Sequence, residues 1–237
     1  MTNSASNIPS EALPTQTTQK TVTAQNKAGS GPHPLAAEMK KTNVYLVGMM
    51  GAGKTTIGRK LANRLGYRFL DTDALIEQST GQTVTDLFAA EGEAGFRAIE
   101  TQVLSQVSSH TNLVVATGGG IVTQPMNWSY LHHGVVLWLD VPVSVLVSRL
   151  SGDSTRPLLH GVDLHGKLES LLAERGDRYA LADIRIGYEG KSVGTTCDRI
   201  IAAIEKNLRP DPKLAVDQIS INQTSINPVR EDAMPEI

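Results

Sequence analysis

The chain has 237 residues, 40% of them hydrophobic, with 22 basic against 24 acidic side chains and a net charge of −2. That balance gives no excess charge for a nucleic acid or a membrane surface, and no apolar run approaches the ~20 residues a membrane helix needs. One cysteine, Cys197, excludes an internal disulfide and a metal site of its own; with no secretory segment near Met1, a cytoplasmic protein is expected.

Residues 1–42 carry eleven Ser/Thr, four prolines and no aromatic residue, so they read as a disordered arm unable to bury enough surface to offset its ordering entropy. Plastid import through this arm is the rival reading, and the lack of any arginine speaks against it. The ordered domain is expected over residues 43–208. Residues 209–237, with four prolines, read as a second disordered tail.

Between the tails, short apolar runs alternate with helical spacing. Strands are expected at Val44–Val47, Tyr67–Leu70, Leu113–Ala116, Val135–Leu139 and Ile184–Ile186. Helices are expected over Thr55–Leu65, stopped by Gly66, and over Gly92–Ser109. Pro125 and Pro142 mark helix starts and Gly134 a helix end. Ile200, Ile201, Ile204 and Leu208 give a last helix its apolar face. Strands separated by helices imply right-handed crossovers and a five-stranded parallel sheet with helices on both faces.

The stretch "GMMGAGKTT", Gly48 to Thr56, fits G-x-x-x-x-G-K-[ST] between a strand and a helix. Such a loop curls so that its N–H groups, with the helix N-terminus, point at phosphate oxygens. Lys54 would reach the β- and γ-phosphates, and the Thr55 hydroxyl would complete a Mg²⁺ shell.

P-loop proteins usually supply a metal-side acid from the end of a further strand. The third apolar run, "LVVATGGG", ends without one. "FLDTD" ends the second strand instead, at the sheet edge where ligands bind in open α/β folds. Read as extended, it turns Asp71 and Asp73 the same way. One would serve the metal and the other an acceptor hydroxyl, or one would only cap the helix expected at Ala74–Ser79. Gly118–Gly120 would leave amides open to an anion or let a substrate approach the chain. Arg97, in "GFRAIE", is either solvated or a substrate contact. Arg156 lies in a Gly-, Ser- and Pro-containing loop suited to a lid over residues 151–166. Four histidines, at 132, 133, 160 and 165, lack metal-ligand partners and read as solvated or capping groups.

Taken together, "GMMGAGKTT", "FLDTD", "GFRAIE", "ATGGG", "TRPLL" and "ERGDRY" resemble, in order and spacing, the shikimate kinase family. The resemblance covers about Asn43 to Leu208 and implies a three-layer P-loop kinase fold with a mobile lid. It further implies transfer of the ATP γ-phosphoryl group to the 3-hydroxyl of shikimate, on the route to chorismate and the aromatic amino acids. By that resemblance Gly51, Ala52, Gly53, Lys54, Thr55 and Thr56 bind ATP, Thr55 and Asp71 serve Mg²⁺, and Asp73 grips the shikimate hydroxyls as candidate base. Arg97 and Arg175, with backbone around Gly119, would clamp the carboxylate, and Arg156 would close over the phosphates. Arg149, just before the lid, would stack on adenine, and the loop "GYEGKS", with Lys191, lies where the family contacts the adenine. The expected partners are ATP and shikimate, with no nucleic acid or membrane, and the expected state is a monomer. Two alternatives are a gluconate-kinase-like enzyme, which would not require the arginine clamp, and a catalytically silent nucleotide-binding protein. The latter's expected mark is loss of Lys54, Asp73 or Arg156, and all three are present.

Overall fold

The computed structural model describes residues 31–39, 41–151 and 163–208. Five strands, β1 (Asn43–Val47), β2 (Arg68–Asp71), β3 (Leu113–Ala116), β4 (Gly134–Asp140) and β5 (Ile184–Gly187), form one sheet in the order β2-β3-β1-β4-β5. Every neighbouring pair is parallel. Each strand lies within one residue of its expected limits. β1 and β3 are buried at every position, as continuous apolar runs in the middle of a parallel sheet should be. Asn43 is the polar exception. Its amide donates to the His110 carbonyl at 2.7 Å and its oxygen accepts from the Leu113 N–H at 3.0 Å, stitching the starts of β1 and β3 together.

The helices are α1 (Leu35–Glu38), α2 (Lys54–Leu65), α3 (Thr72–Thr80), α4 (Val84–Ser108), α5 (Pro125–Leu131), α6 (Val143–Leu150), α7 (Leu164–Tyr179) and α8 (Val193–Leu208). Gly66 ends α2 in the left-handed conformation, φ 69°. Pro125 and Pro142 stand at helix starts as expected. The expected helix from Gly92 is the second part of α4, which is broken at Gly92 (φ 67°, ψ −178°) and preceded by turns the sequence pattern did not reveal. Gly134 is not a helix end. α5 stops at Leu131, and Gly134 opens β4, where a Cβ would stand 2.5 Å from the Asn43 carbonyl oxygen. In α8, Ile200, Ile201 and Ile204 are buried but Leu208, in the last turn, is exposed.

Two further expectations change. Residues 31–39 do not behave as an arm: α1 sinks Leu35, and Met39 follows it, into the core, while the His33 N–H bonds the Arg64 carbonyl at 2.9 Å. Residues 163–166, assigned to the lid, instead start α7. The Asp163 carboxylate accepts from the His165 and Gly166 N–H groups, both at 3.1 Å. Residues 152–162 of the expected lid, including Arg156 and His160, and the outer parts of both tails lie outside the described residues. Among the described residues, no helix is long and apolar enough to cross a membrane.

The packing of α1 predicts that Leu35→Ala costs about 2–5 kcal/mol, the range for emptying a buried leucine site. Urea denaturation reads this directly, and a change below about 0.5 kcal/mol, typical of surface positions, would return the segment to the status of an arm.

Candidate active site

All expected site residues within the described chain gather at the carboxyl ends of β1, β2 and β3. The turn after β1 needs its first glycine: Gly48 has φ 138°, and a Cβ there would stand 2.6 Å from the Leu139 carbonyl oxygen. Residues 51–56 then line a cavity of about 420 Å³. The Lys54 ammonium, nearly buried, donates to the carbonyls of Gly48 at 2.8 Å and Met49 at 2.9 Å. Arg149, from α6, donates to the Gly51 carbonyl at 2.9 Å and lies over the Tyr188 ring at 5.2 Å. Arg149, Tyr188 and Lys191 line the same cavity.

The two acids of "FLDTD" are not in equivalent backbone. Asp71 is extended, and α3 begins at Thr72, two residues earlier than expected, so Asp73 stands in a helical first turn. The alternatives of cap and metal ligand turn out to be compatible for Asp71. Its Oδ1 accepts from the Asp73 N–H at 3.1 Å, and its Oδ2 accepts from the Thr55 hydroxyl at 2.8 Å. Asp73 lines the first cavity and also a second one, of about 460 Å³. Met50 and Gly119 are the other residues common to both.

The second cavity is lined by Phe88, Arg97, Glu100 and Arg175, among others. Arg97 is not a solvated surface residue. It is buried, pairs with Glu100 at 2.7 Å and Glu93 at 3.2 Å, and lies near the faces of Phe88 and Phe96. Those rings stack at 4.4 Å because the break at Gly92 lets the two parts of α4 meet. Glu100 is fully buried, and its Oε1 has no hydrogen-bond partner among the described residues. Burial pushes its carboxyl up to about 7; Arg97 opposes the rise and Asp73 adds to it.

Gly118–Gly120 thread between these groups. A Cβ on Gly118 would collide with the Glu100 and Asp73 carboxylates, and one on Gly120 with the Arg97 guanidinium. The Gly118 N–H is not open to an anion, since the Thr72 hydroxyl accepts it at 3.0 Å. Arg175, buried on α7, reaches the Gly119 carbonyl at 3.5 Å, and the Tyr179 hydroxyl donates to the same oxygen. Arg97 and Arg175 therefore converge on one cavity from α4 and α7. His132 and His133 are exposed, and His165 pairs with Glu169 at 3.6 Å on the surface, so none of the three enters the site.

Sequence reasoning missed Glu100, Phe88 and Tyr179. Glu100 had a signal, because it follows Arg97 by three residues on a helix, the spacing at which side chains pair. Phe88 lay before Gly92, in a stretch without a helical reading. Tyr179 closes "ERGDRY", four residues beyond Arg175 and hence on the same helix face.

No group of three or more His, Cys, Asp or Glu residues suited to a metal occurs among the described residues. Thr55 and Asp71 nevertheless supply adjacent oxygen donors beside the phosphate loop. That fits Mg²⁺, which keeps most of its water and takes one or two protein oxygens with substrate phosphates.

A family model described as shikimate kinase matches residues 50–205. Shikimate kinase from a Nostoc species is 58% identical over 152 residues, covering 64% of this chain and 84% of the relative. Shikimate kinase from Nostoc punctiforme is 51% identical over 177 residues, 74% of this chain and 98% of its own. Among solved structures, a shikimate kinase from Acinetobacter baumannii in complex with shikimate superposes with a TM-score of 0.71 at 41% identity. It covers 75% of this chain and all of that one, 100%.

The state of Glu100 is testable through stability. A carboxyl raised from its ordinary 4.5 to about 7 stabilises the fold below pH 4.5, and that contribution is lost as pH rises through about 7. The stability of the wild type relative to Glu100→Gln should therefore fall between pH 4.5 and 7 and level off above. Parallel profiles in urea denaturation would mean that Glu100 ionises as an ordinary carboxyl.

Proposed function

The chain belongs to the shikimate kinase family, an ATP-dependent kinase, and we propose that its first cavity takes ATP and its second takes shikimate. On this reading the γ-phosphoryl group passes to the shikimate 3-hydroxyl. The observation that carries the residue assignment is the meeting of the two cavities at Asp73, Met50 and Gly119. A group held in one therefore lies next to a group held in the other.

On the nucleotide side, the amides of Gly51 to Thr56 receive the phosphates, with Ala52, Gly53 and Thr56 completing the loop and the start of α2. Lys54 exchanges the carbonyls of Gly48 and Met49 for phosphate oxygens. Thr55 and, through water, Asp71 would hold Mg²⁺. The ion, when bound, neutralises charge on the β- and γ-phosphates. Arg149, already stacked on Tyr188, borders the space for adenine. Arg156, outside the described residues, is assigned by the sequence to the lid that closes over the phosphates and stabilises their charge.

On the acceptor side, Arg97 and Arg175 present forked donors to a carboxylate, fixing its plane as well as its place. Backbone around Gly119 lines the same end of the cavity. Asp73 faces the hydroxyl end. As the 3-hydroxyl oxygen bonds to the γ-phosphorus, the bond from that phosphorus to the β–γ bridging oxygen breaks. The hydroxyl proton passes to the Asp73 carboxylate, and ADP and shikimate 3-phosphate leave. Phosphoryl transfer depends more on such positioning and charge neutralisation than on covalent help, so rigid, buried arginines are the expected equipment.

The direct test is ADP release with ATP and Mg²⁺ in the presence of shikimate, gluconate or no acceptor. Turnover should require shikimate, and gluconate-dependent turnover would transfer the acceptor assignment to a sugar acid. Asp73→Asn should lower kcat by about 10²–10⁴-fold, the usual worth of a general base. Arg97→Ala should raise the shikimate KM by about 10- to 100-fold, as expected for a charged hydrogen bond, with the ATP KM nearly intact. Equal loss of both would make Arg97 a structural residue.

A further inference from the structure

Tyr179 lies against Gly119, one of the three residues that line both cavities. Its ring is fully buried and stacks on Trp138 at 5.9 Å with an interplanar angle of 20°. Its hydroxyl donates to the Gly119 carbonyl and approaches the Met49 sulfur at 3.7 Å. One phenol thus touches the phosphate loop and the glycine loop together. Burial pushes its pKa up to about 12, so it stays a donor throughout the working range of pH.

The two loops also touch each other. A Cβ on Gly119 would stand 3.3 Å from the Met50 nitrogen and 3.7 Å from the Gly48 oxygen, so the two backbones are in close contact. Gly48 and Met49 are also the residues whose carbonyls hold the Lys54 ammonium. A nucleotide that draws Lys54 toward its phosphates changes the partners of those two carbonyls, and hence the surface against which Gly119 rests.

Arg175 completes the junction. It reaches the Gly119 oxygen at 3.5 Å, a poorer contact than the phenol makes. With the hydroxyl in place, that half-buried carbonyl is satisfied and the guanidinium is left to face the second cavity. Without it, the carbonyl would have Arg175 as its donor and would draw it away from an acceptor carboxylate.

We propose that the Tyr179 hydroxyl is a positioning group that couples nucleotide occupancy of the phosphate loop to the readiness of Gly119 and Arg175 for the acceptor. This rests on the acceptor reading of the second cavity and adds to it a path between the sites. Coupling of this kind is a two-way quantity: nucleotide tightens the acceptor as much as the acceptor tightens nucleotide.

The test is calorimetric titration of shikimate into the full chain, without and with saturating Mg·ADP. In the wild type, nucleotide should tighten shikimate on the order of 5-fold or more, the lower end of typical site-to-site coupling. In Tyr179→Phe that ratio should fall to about one, while the Kd for Mg·ADP alone stays within about twofold. A ratio preserved in the variant, or absent from the wild type, overturns the proposal. A wild-type chain that binds Mg·ADP but gives no shikimate heat overturns the acceptor reading and this proposal with it, and that outcome is distinct from the other two. A second measurement needs no variant. The Ile121 and Thr123 N–H groups bond the Gly118 and Gly120 carbonyls at 3.2 and 2.9 Å. Mg·ADP alone should slow their exchange with solvent, and unchanged exchange there would also overturn the coupling.

Discussion

The site depends on a steric constraint: the main chain leaving β3 must pass through a gap too narrow for any side chain. Asp73 and Glu100 stand on one side of it, the phosphate loop on another, and Arg97 beyond. Gly118–Gly120 meet this demand because a Cβ at the first and last of them would overlap buried charged groups. Larger residues would displace the Glu100 and Asp73 carboxylates or the Arg97 guanidinium, which line the second cavity. Phosphoryl transfer needs donor and acceptor oxygens within bonding reach, and on the proposed assignment the narrowness of this passage is what lets the two neighbouring cavities act as one reaction site.

The same passage explains why so much charge is buried here. Arg97, Glu100 and Arg175 all lie below a tenth of their accessible area. Removing charges from water is costly, and a buried pair seldom repays that cost in stability. On the proposed acceptor reading the arrangement is readiness for an anion: two guanidinium groups held by packing and by an acid need not reorganise when a carboxylate arrives. Phe88 and Phe96 serve this by walling Arg97 against the cavity.

Much of this was legible in local pattern. The central strands could be read from apolar runs because burial on both faces leaves no polar alternation to blur them, and the half-exposed edge strands β2 and β5 still carry short apolar runs. The phosphate loop and the acid pair were legible because their chemistry is written in consecutive residues. What escaped depends on contacts between distant segments. Arg97 looks solvated until Phe88, brought over by the break at Gly92, covers it. Glu100 looks like an ordinary helix-surface acid until Gly118 runs against it. Asp71 posed a choice between cap and metal ligand only because a linear reading gives a carboxylate one job, whereas one of its oxygens caps α3 and the other faces the Thr55 hydroxyl.

The packing of residues 31–39 bears on how the domain joins its surroundings. Their bonds run to Arg64, at the end of α2, and the following turn meets Asn112, just ahead of β3. Both points lie at the amino ends of the strands, the face of the sheet opposite the cleft. The chain therefore enters the fold from behind. An affinity tag, a fluorescent protein or a surface linkage attached ahead of residue 31 would leave the mouth of the cleft unobstructed, provided Leu35 and Met39 are kept.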